Sequence, residues 1–307
     1  MRKKYPIHSD FKRWTKLNPP INRFALFFVR HAMNLFFTAQ KSDKQCMVKK
    51  IKIPFNDKKI RAIIFSPLSI KENSPCLIYY HGGGFVMPAS PHHYHNARKY
   101  ALEAQCKVVF VDYPLAPKNK YPIPAQASFE TYKWVMTHAK ELSVDKTRIA
   151  VGGDSAGGNL SAVVSLMAHD NNIQMPCGQM LLYPAIGLDF ETQSMKEFVD
   201  TPMCNSRDID RYIKMYLKSE QDKQTRYVSP IRAESFDVYP TSFVETAEFD
   251  CLRDEAIFFA CMLKIYGVKT HLHKTKGTMH GYDIVEKSPI TQNSLQKRIE
   301  FLKSVFR

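Results

Sequence analysis

Hydrophobic positions in this chain fall into two kinds of run that alternate over most of its length. Short continuous apolar runs at Cys76–Tyr80, Lys107–Val111, Arg148–Val151, Met180–Tyr183 and Ser242–Glu245 have turn signals nearby and predict strands buried on both faces. Between them, helical spacing predicts helices near 93–105, 125–140, 157–169, 254–266 and 292–306. This alternation implies an α/β domain with a mostly parallel sheet and helices on both faces. Upstream, residues 47–54 and 60–66 read as two strands joined by a turn at Asn56-Asp57. Residues 188–228 are more polar, contain a separate helical stretch near 206–218, and read as a cap insertion over the sheet.

The N-terminal segment has a different pattern. Residues 21–41 predict a helix with a narrow polar stripe of Arg23, Arg30, Asn34 and Lys41, while Phe24, Leu26, Phe27, Phe28, Leu35, Phe36 and Phe37 cover much of the rest. The expectation is a helical cap segment at 1–45 whose aromatic face buries against the α/β domain at 46–307. The start at Arg2-Lys3-Lys4 is basic, but the apolar stretch comes late, Arg30 interrupts it and no small-residue cleavage site follows, so it does not read as a secretory signal.

Composition narrows the class. With 307 residues, 44% hydrophobic and 24% charged, the chain can bury a core without disulfides or metals. Seven scattered cysteines with no CxxC pair form neither a disulfide framework nor a zinc site, and predict a reducing cytoplasm. The net charge of +15 is misleading as an average: residues 1–61 carry +13 and residues 62–307 carry +2. A nearly neutral body with a basic N-terminal fifth gives no case for nucleic acid as a partner.

Gly153-Asp154-Ser155-Ala156-Gly157 fits G-x-S-x-G between an apolar strand and a helix start, where small residues permit a tight turn that exposes Ser155. The run His81-Gly82-Gly83-Gly84 follows another strand, and backbone N–H groups in such a loop can face a developing oxyanion. A serine nucleophile needs a base and an orienting carboxylate, in the chain order Ser, acid, His. Of the downstream histidines, His169 reads as a surface residue of the helix after Ser155, and His271 and His273 alternate along a strand. His280 lies in a loop after that strand and is the candidate base. Asp250 follows the strand ending near Glu245 and is the candidate acid, whereas Asp254 and Glu255 read as helix-start charges. Asp154, adjacent to Ser155, reads as structural. Cys251 reads as a small hydrophobe. His92-His93-Tyr94-His95 has no carboxylate or cysteine at matching spacing and reads as a solvated loop, so no metal is expected.

Together these segments resemble the hormone-sensitive-lipase-like branch of the α/β-hydrolase esterases from about residue 47 onward. The resemblance rests on the HGGGF run at 81–85, Asp112-Tyr113-Pro114-Leu115-Ala116-Pro117, the GDSAGGN run at 153–159, Asp250-Cys251-Leu252-Arg253-Asp254-Glu255 and His280-Gly281-Tyr282. It implies an α/β-hydrolase fold with Ser155 as nucleophile, Asp250 as acid and His280 as base. It also implies that Gly82, Gly83 and Ala156 donate the oxyanion-hole N–H groups, with His81, Gly84, Gly153 and Gly157 supporting the motifs. Pro114 and Lys118 stand where the family usually has Arg and Glu, which bears on local salt bridging and subunit contacts rather than chemistry.

The expected function is a serine carboxylesterase acting on small-molecule esters, with short acyl chains preferred and no cofactor. An amidase- or formamidase-type hydrolase is the alternative on the same fold, and a non-catalytic ligand-binding relative is a third. A homodimer and contact with an anionic membrane through residues 1–45 are the partner expectations beyond the substrate.

Overall fold

The computed structural model describes residues 5–16, 23–188 and 191–307, with the side chains of the first helix described from Leu26 onward. The basic start Arg2-Lys3-Lys4, the first two positions of the expected 21–41 helix and the side chains of Arg23 and Phe24 therefore lie outside the described residues.

Eight strands form one sheet: β1 (Cys46–Phe55), β2 (Lys58–Pro67), β3 (Ser74–Tyr80), β4 (Lys107–Asp112), β5 (Val144–Asp154), β6 (Gln179–Leu182), β7 (Ser242–Thr246) and β8 (Thr270–Lys274). Their spatial order is β1-β2-β4-β3-β5-β6-β7-β8. β1 and β2 pair antiparallel across the Asn56-Asp57 turn and β2 pairs antiparallel with β4, whereas β4 through β8 run parallel. The continuous apolar runs have a simple cause. In β3, Ile78 and Tyr80 enter one core and Leu77 and Tyr79 the other, and Val109 and Phe110 divide in the same way in β4. A strand between two helical layers has no solvent face to make polar.

The first layer holds α3 (Ile123–Thr137) and α4 (Ala156–Asp170), with α7 (Arg253–Ile265) packing beside α4 through Phe259 and Leu263. The second holds α2 (Pro91–Ala104) and α8 (Pro289–Val305), which meet through Tyr100, Leu295 and Leu302. Residues 92–95 lie in the first turn of α2 rather than in the expected solvated loop. Ser90 and Pro91 start the helix, the Ser90 N–H reaches His93 Nδ1 at 2.9 Å, and His93 and Tyr94 are buried.

Between β6 and β7 the 188–228 segment carries α5 (Gln193–Glu197) and α6 (Ser206–Tyr216). α6 turns Ile209, Tyr212, Ile213 and Tyr216 inward, and Tyr216 stacks on Phe85 at 3.9 Å between ring centroids. At the N-terminus a 3₁₀ helix, Ser9–Lys16, is an element the periodicity did not reveal. It lies along the 277–288 loop: the His8 N–H donates to Gly277 O, Phe11 meets Tyr282 edge-on, and Ser288 Oγ donates to Asp10.

The helix α1 (Arg23–Ala39) overturns a second expectation. Arg30 and Asn34 of its polar stripe face the body, and much of its described aromatic surface faces water. Arg30 Nη2 donates to Val86 O at 2.8 Å and also to Ala116 O, and Asn34 Oδ1 accepts from Arg61, which pairs with Asp112. Leu26 and Phe37 are buried, but Phe27, Phe28, Leu35 and Phe36 are exposed. The reason is local supply. The surface beneath α1 offers backbone carbonyls and an arginine, which a polar stripe satisfies and phenylalanines could not.

One buried ion network joins several of these elements. Arg298 of α8 is fully buried and donates to Glu245 of β7 at 2.5 and 2.9 Å, to Asp283 at 2.8 Å and to Tyr100 Oη at 3.1 Å. Burial would drive Asp283 toward its neutral form, but Arg298 holds its carboxyl below the usual carboxylate range. Replacing Arg298 with Met should destabilise the protein by about 3–5 kcal/mol, because two buried carboxylates lose their cation. Chemical denaturation measures this, and a loss under about 1 kcal/mol would contradict a paired buried network.

Candidate active site

The site forms where β3, β5, β7 and β8 end. β5 runs into α4 through Ser155, whose φ of 54° and ψ of −118° place it in a conformation that non-glycine residues rarely adopt. Close approach makes this turn possible. A Cβ on Gly157 would meet Tyr80 O at 1.9 Å, and one on Gly153 would meet the same oxygen at 2.3 Å. The Ser155 N–H donates to Leu182 O at 2.8 Å, which ties the elbow to β6.

Three residues from separate parts of the chain meet at this elbow. His280 Nε2 lies 2.9 Å from Ser155 Oγ, and His280 Nδ1 lies 2.7 Å from Asp250 Oδ2. Asp250 accepts the Leu252 N–H on its other oxygen at 3.0 Å, so its orientation is fixed. With the imidazole proton on Nδ1, facing the carboxylate, the Nε2 lone pair faces the hydroxyl. Burial would lower the pKa of His280, but the adjacent Asp250 carboxylate outweighs it and raises that pKa above the value of free imidazole. Tyr183 packs edge-on against the His280 ring at 4.9 Å and donates its hydroxyl to Asp283 at 2.6 Å. Tyr282 donates to Glu245 at 2.7 Å. The loop bearing His280 is thus anchored to the Arg298 network.

The glycine loop lies opposite. Gly83 and Gly84 have φ values of 116° and 60°, which side-chain-bearing residues rarely adopt. Gly83 O accepts from the Val86 and Met87 N–H groups, and Phe85 O accepts from Ala116. Ala156 opens α4, where first-turn N–H groups have no partner within the helix. His81 is buried, stacks on Tyr113 at 4.5 Å and contacts Gly82 O through Nδ1 at 2.7 Å. Burial pushes its pKa down to about 4, so it is neutral at physiological pH.

Asp154 holds this loop from behind. Its Oδ1 accepts from Tyr79 Oη at 2.9 Å and its Oδ2 lies 3.1 Å from His93 Nε2. A Cβ on Gly82 would fall 2.1 Å from that same Oδ2. His93 Nδ1 accepts the Ser90 N–H, so its ring proton sits on Nε2 and is donated to Asp154, which raises the His93 pKa against the effect of burial. His95 instead meets Glu286 at the surface at 3.2 Å. Among the described residues no group of three His, Cys, Asp or Glu side chains is arranged to hold a metal.

Other expectations sort as follows. His169 is exposed, and His271 and His273 sit on β8, away from Ser155. Asp254 is a first-turn charge of α7 that accepts the Ser194 N–H. Glu255 is more than a helix-start charge: it is buried and accepts the N–H groups of Ile186 and Gly187 at 2.7 and 3.2 Å. Cys251 is fully buried, and all seven cysteines are free. Asn159 was not singled out in the sequence, yet its amide donates to Ala185 O and Val228 O, fastening the 188–228 segment to α4. Its place two residues beyond Gly157 was the only available signal.

Gly84, Phe85, Ala185, Leu188, Ile209, Tyr212 and Ile213 surround a small apolar space beside Ser155. Among the described residues no helix is long and apolar enough to cross a membrane.

Comparison with known proteins bears on the family and the fold. An α/β-hydrolase fold family model matches residues 77–284. A carboxylesterase of Mycobacterium tuberculosis, NlhH, is 36% identical over 223 residues, covering 71% of this chain and 70% of that protein. An arylesterase of Saccharolobus solfataricus is 31% identical over 282 residues, covering 91% and 90%. Among solved structures, a thermostable esterase from Pseudomonas putida superposes with a TM-score of 0.89 at 27% identity, covering 100% of this chain and 99% of that one. An esterase of Pyrobaculum calidifontis gives 0.88 at 30% identity, covering 97% and 99%. The chain belongs to the α/β-hydrolase fold family, in the hormone-sensitive-lipase-like esterase group to which its motifs pointed.

Proposed function

We propose that this protein is a serine carboxylesterase that works through an acyl-enzyme on Ser155. The observation that carries the proposal is the continuous chain from Ser155 Oγ through His280 to Asp250, at 2.9 and 2.7 Å. Ser155 attacks the ester carbonyl while His280 Nε2 takes its proton, and Asp250 stabilises the imidazolium that forms. The N–H groups of Gly82, Gly83 and Ala156 receive the oxyanion. Collapse breaks the carbonyl–alkoxy bond, and His280 returns the proton to the departing alcohol. Water, deprotonated by His280, then attacks the acyl-enzyme, and Ser155 leaves with the proton restored. Relatives named carboxylesterase and arylesterase favour an ester over an amide as substrate. We assign the cap to residues 1–45 and 188–228, whose described parts meet where Tyr5 donates to Asp200 at 2.6 Å and packs on Phe198.

Substitutions test the roles. Ser155→Ala should lower kcat on a chromogenic acetyl ester by about 10⁴-fold or more with the fold retained, and His280→Ala nearly as far. Asp250→Asn should lower it by about 10³–10⁴-fold, while Asp254→Asn stays within about tenfold. The reverse order for the two aspartates would move the acid to Asp254.

The pH profile follows from the sign of the His280 shift. Imidazolium cannot accept the serine proton, so kcat/KM should rise with pH as His280 deprotonates. Because Asp250 raises that pKa, the midpoint should lie above the 6.5 of free imidazole. A limb centred at or below that value would show that Asp250 does not hold the proton on the ring in the free enzyme.

The apolar space beside Ser155 is walled by Leu188, Ile209 and Ile213, which favours acyl chains of about two to six carbons. Across esters from acetyl to dodecanoyl, kcat/KM should peak within that range. Ile209→Ala with Ile213→Ala should shift the peak to longer chains. A wild-type kcat/KM that kept rising to dodecanoyl would reject the short-chain reading.

A further inference from the structure

α1 is polar toward the protein and apolar toward water. Arg30 and Asn34 are engaged inward, on the Val86 and Ala116 carbonyls and on Arg61. Outward, Phe27, Phe28, Leu35 and Phe36 are 57%, 55%, 66% and 39% exposed, with exposed His31 and Ala32 between them. Phe27, His31 and Leu35 follow at spacings of four, so this is one continuous strip rather than scattered apolar residues. No acidic residue lies anywhere in the helix.

The surroundings of the strip are basic. Residues 1–61 hold a net +13, against +2 for the remaining chain. Lys41 and Lys44 follow the C-terminal end of α1, and Lys49, Lys50 and Lys52 are exposed on the edge strand β1. Lys50 Nζ donates to Thr38 O at 2.5 Å, which brings that lysine against the helix end, with Lys52 on the same face of β1.

We propose that the outward face of α1 docks the protein onto an anionic lipid surface. The apolar strip enters the boundary between headgroups and acyl chains, and the lysines around it meet the anionic headgroups. A second copy of the chain is the poorer occupant. A two-fold contact through this face would bring two strongly basic segments together. A soluble polyanion would take the lysines and leave Leu35 and Phe27 in water. An anionic bilayer accepts both. At 17 residues α1 lies along such a surface rather than crossing it. Arg30 also ties the helix to the loop just past Gly82–Gly84, so a docked α1 holds the site close to the phase where apolar esters collect. Docking itself involves none of the residues assigned to catalysis, and can be tested without turnover.

Co-sedimentation of the full chain with vesicles of phosphatidylcholine and phosphatidylserine, against phosphatidylcholine alone, provides the test. The wild-type protein should pellet with the mixed vesicles only, and release as salt rises beyond about 0.15 M. Phe27→Gln with Leu35→Gln should cut that partition by about tenfold or more. Lys49→Glu with Lys52→Glu should also reduce it, while kcat/KM on a water-soluble ester stays within about twofold in both variants. The proposal is overturned if wild-type protein fails to bind the mixed vesicles at low salt, or if the Phe27/Leu35 variant binds as wild type does. It is equally overturned if light scattering shows a dimer that this variant splits while the wild type ignores vesicles, since the face would then belong to a second copy.

Discussion

A guanidinium buried beneath the loop that bears His280 is the constraint on which the site's geometry depends. Arg298 lies inside α8, bound to Glu245 at the end of β7 and to Asp283 three residues beyond His280. Taking a cation and two carboxylates out of water is favourable only when each has well-placed partners. Here the remaining acceptor positions are filled by the hydroxyls of Tyr282 and Tyr183 and by the Asn96 amide. The result is a loop held by buried ions as well as by its backbone bridge between Met279 and Phe249. His280 must point Nε2 at a serine just past one strand and Nδ1 at an aspartate beyond another. A loop free to drift by an ångström would miss one of them.

The glycine loop depends on a second buried pair. Asp154 follows directly from β5 and cannot avoid being near Gly82, whose missing side chain leaves room for its carboxylate. That carboxylate accepts hydrogen bonds from His93 Nε2, in the first turn of α2, and from the Tyr79 hydroxyl. The adjacent residues Asp154 and Ser155 therefore face opposite ways. Ser155 is strained outward to the substrate side, and Asp154 is held inward behind the loop that faces it.

Much of this was legible in the sequence because the chemistry of the elbow depends on local spacing. Ser155, the glycine run and the β-α order are written in adjacent residues, and both-face burial leaves continuous apolar runs. Asp250 and His280 could be assigned from position at strand ends because the chain order of such triads restricts the choice. Arg298, Glu245 and Asp283 were not legible. Each resembles an ordinary surface charge of a helix, a strand end and a loop, and only the fold brings them together. His93 was misread for a related reason: a histidine-rich run looks polar in composition, but burial of a histidine depends on a carboxylate 61 positions away.

The reversal of α1 shows where pattern reading fails in principle. Periodicity reports that a helix has two faces of different polarity. Assigning the apolar face to the protein assumes that the underlying surface is apolar too. Beneath α1 that surface presents the carbonyls of Val86 and Ala116 and the guanidinium of Arg61, so Arg30 and Asn34 are the complementary side. Leaving those carbonyls to phenylalanine would bury acceptors without donors, a cost of about 1–3 kcal/mol each. Exposing an aromatic ring costs a similar amount in water and less wherever another apolar phase can receive it. The sequence therefore contains both faces of the choice, and only the surface beneath the helix determines which one is buried.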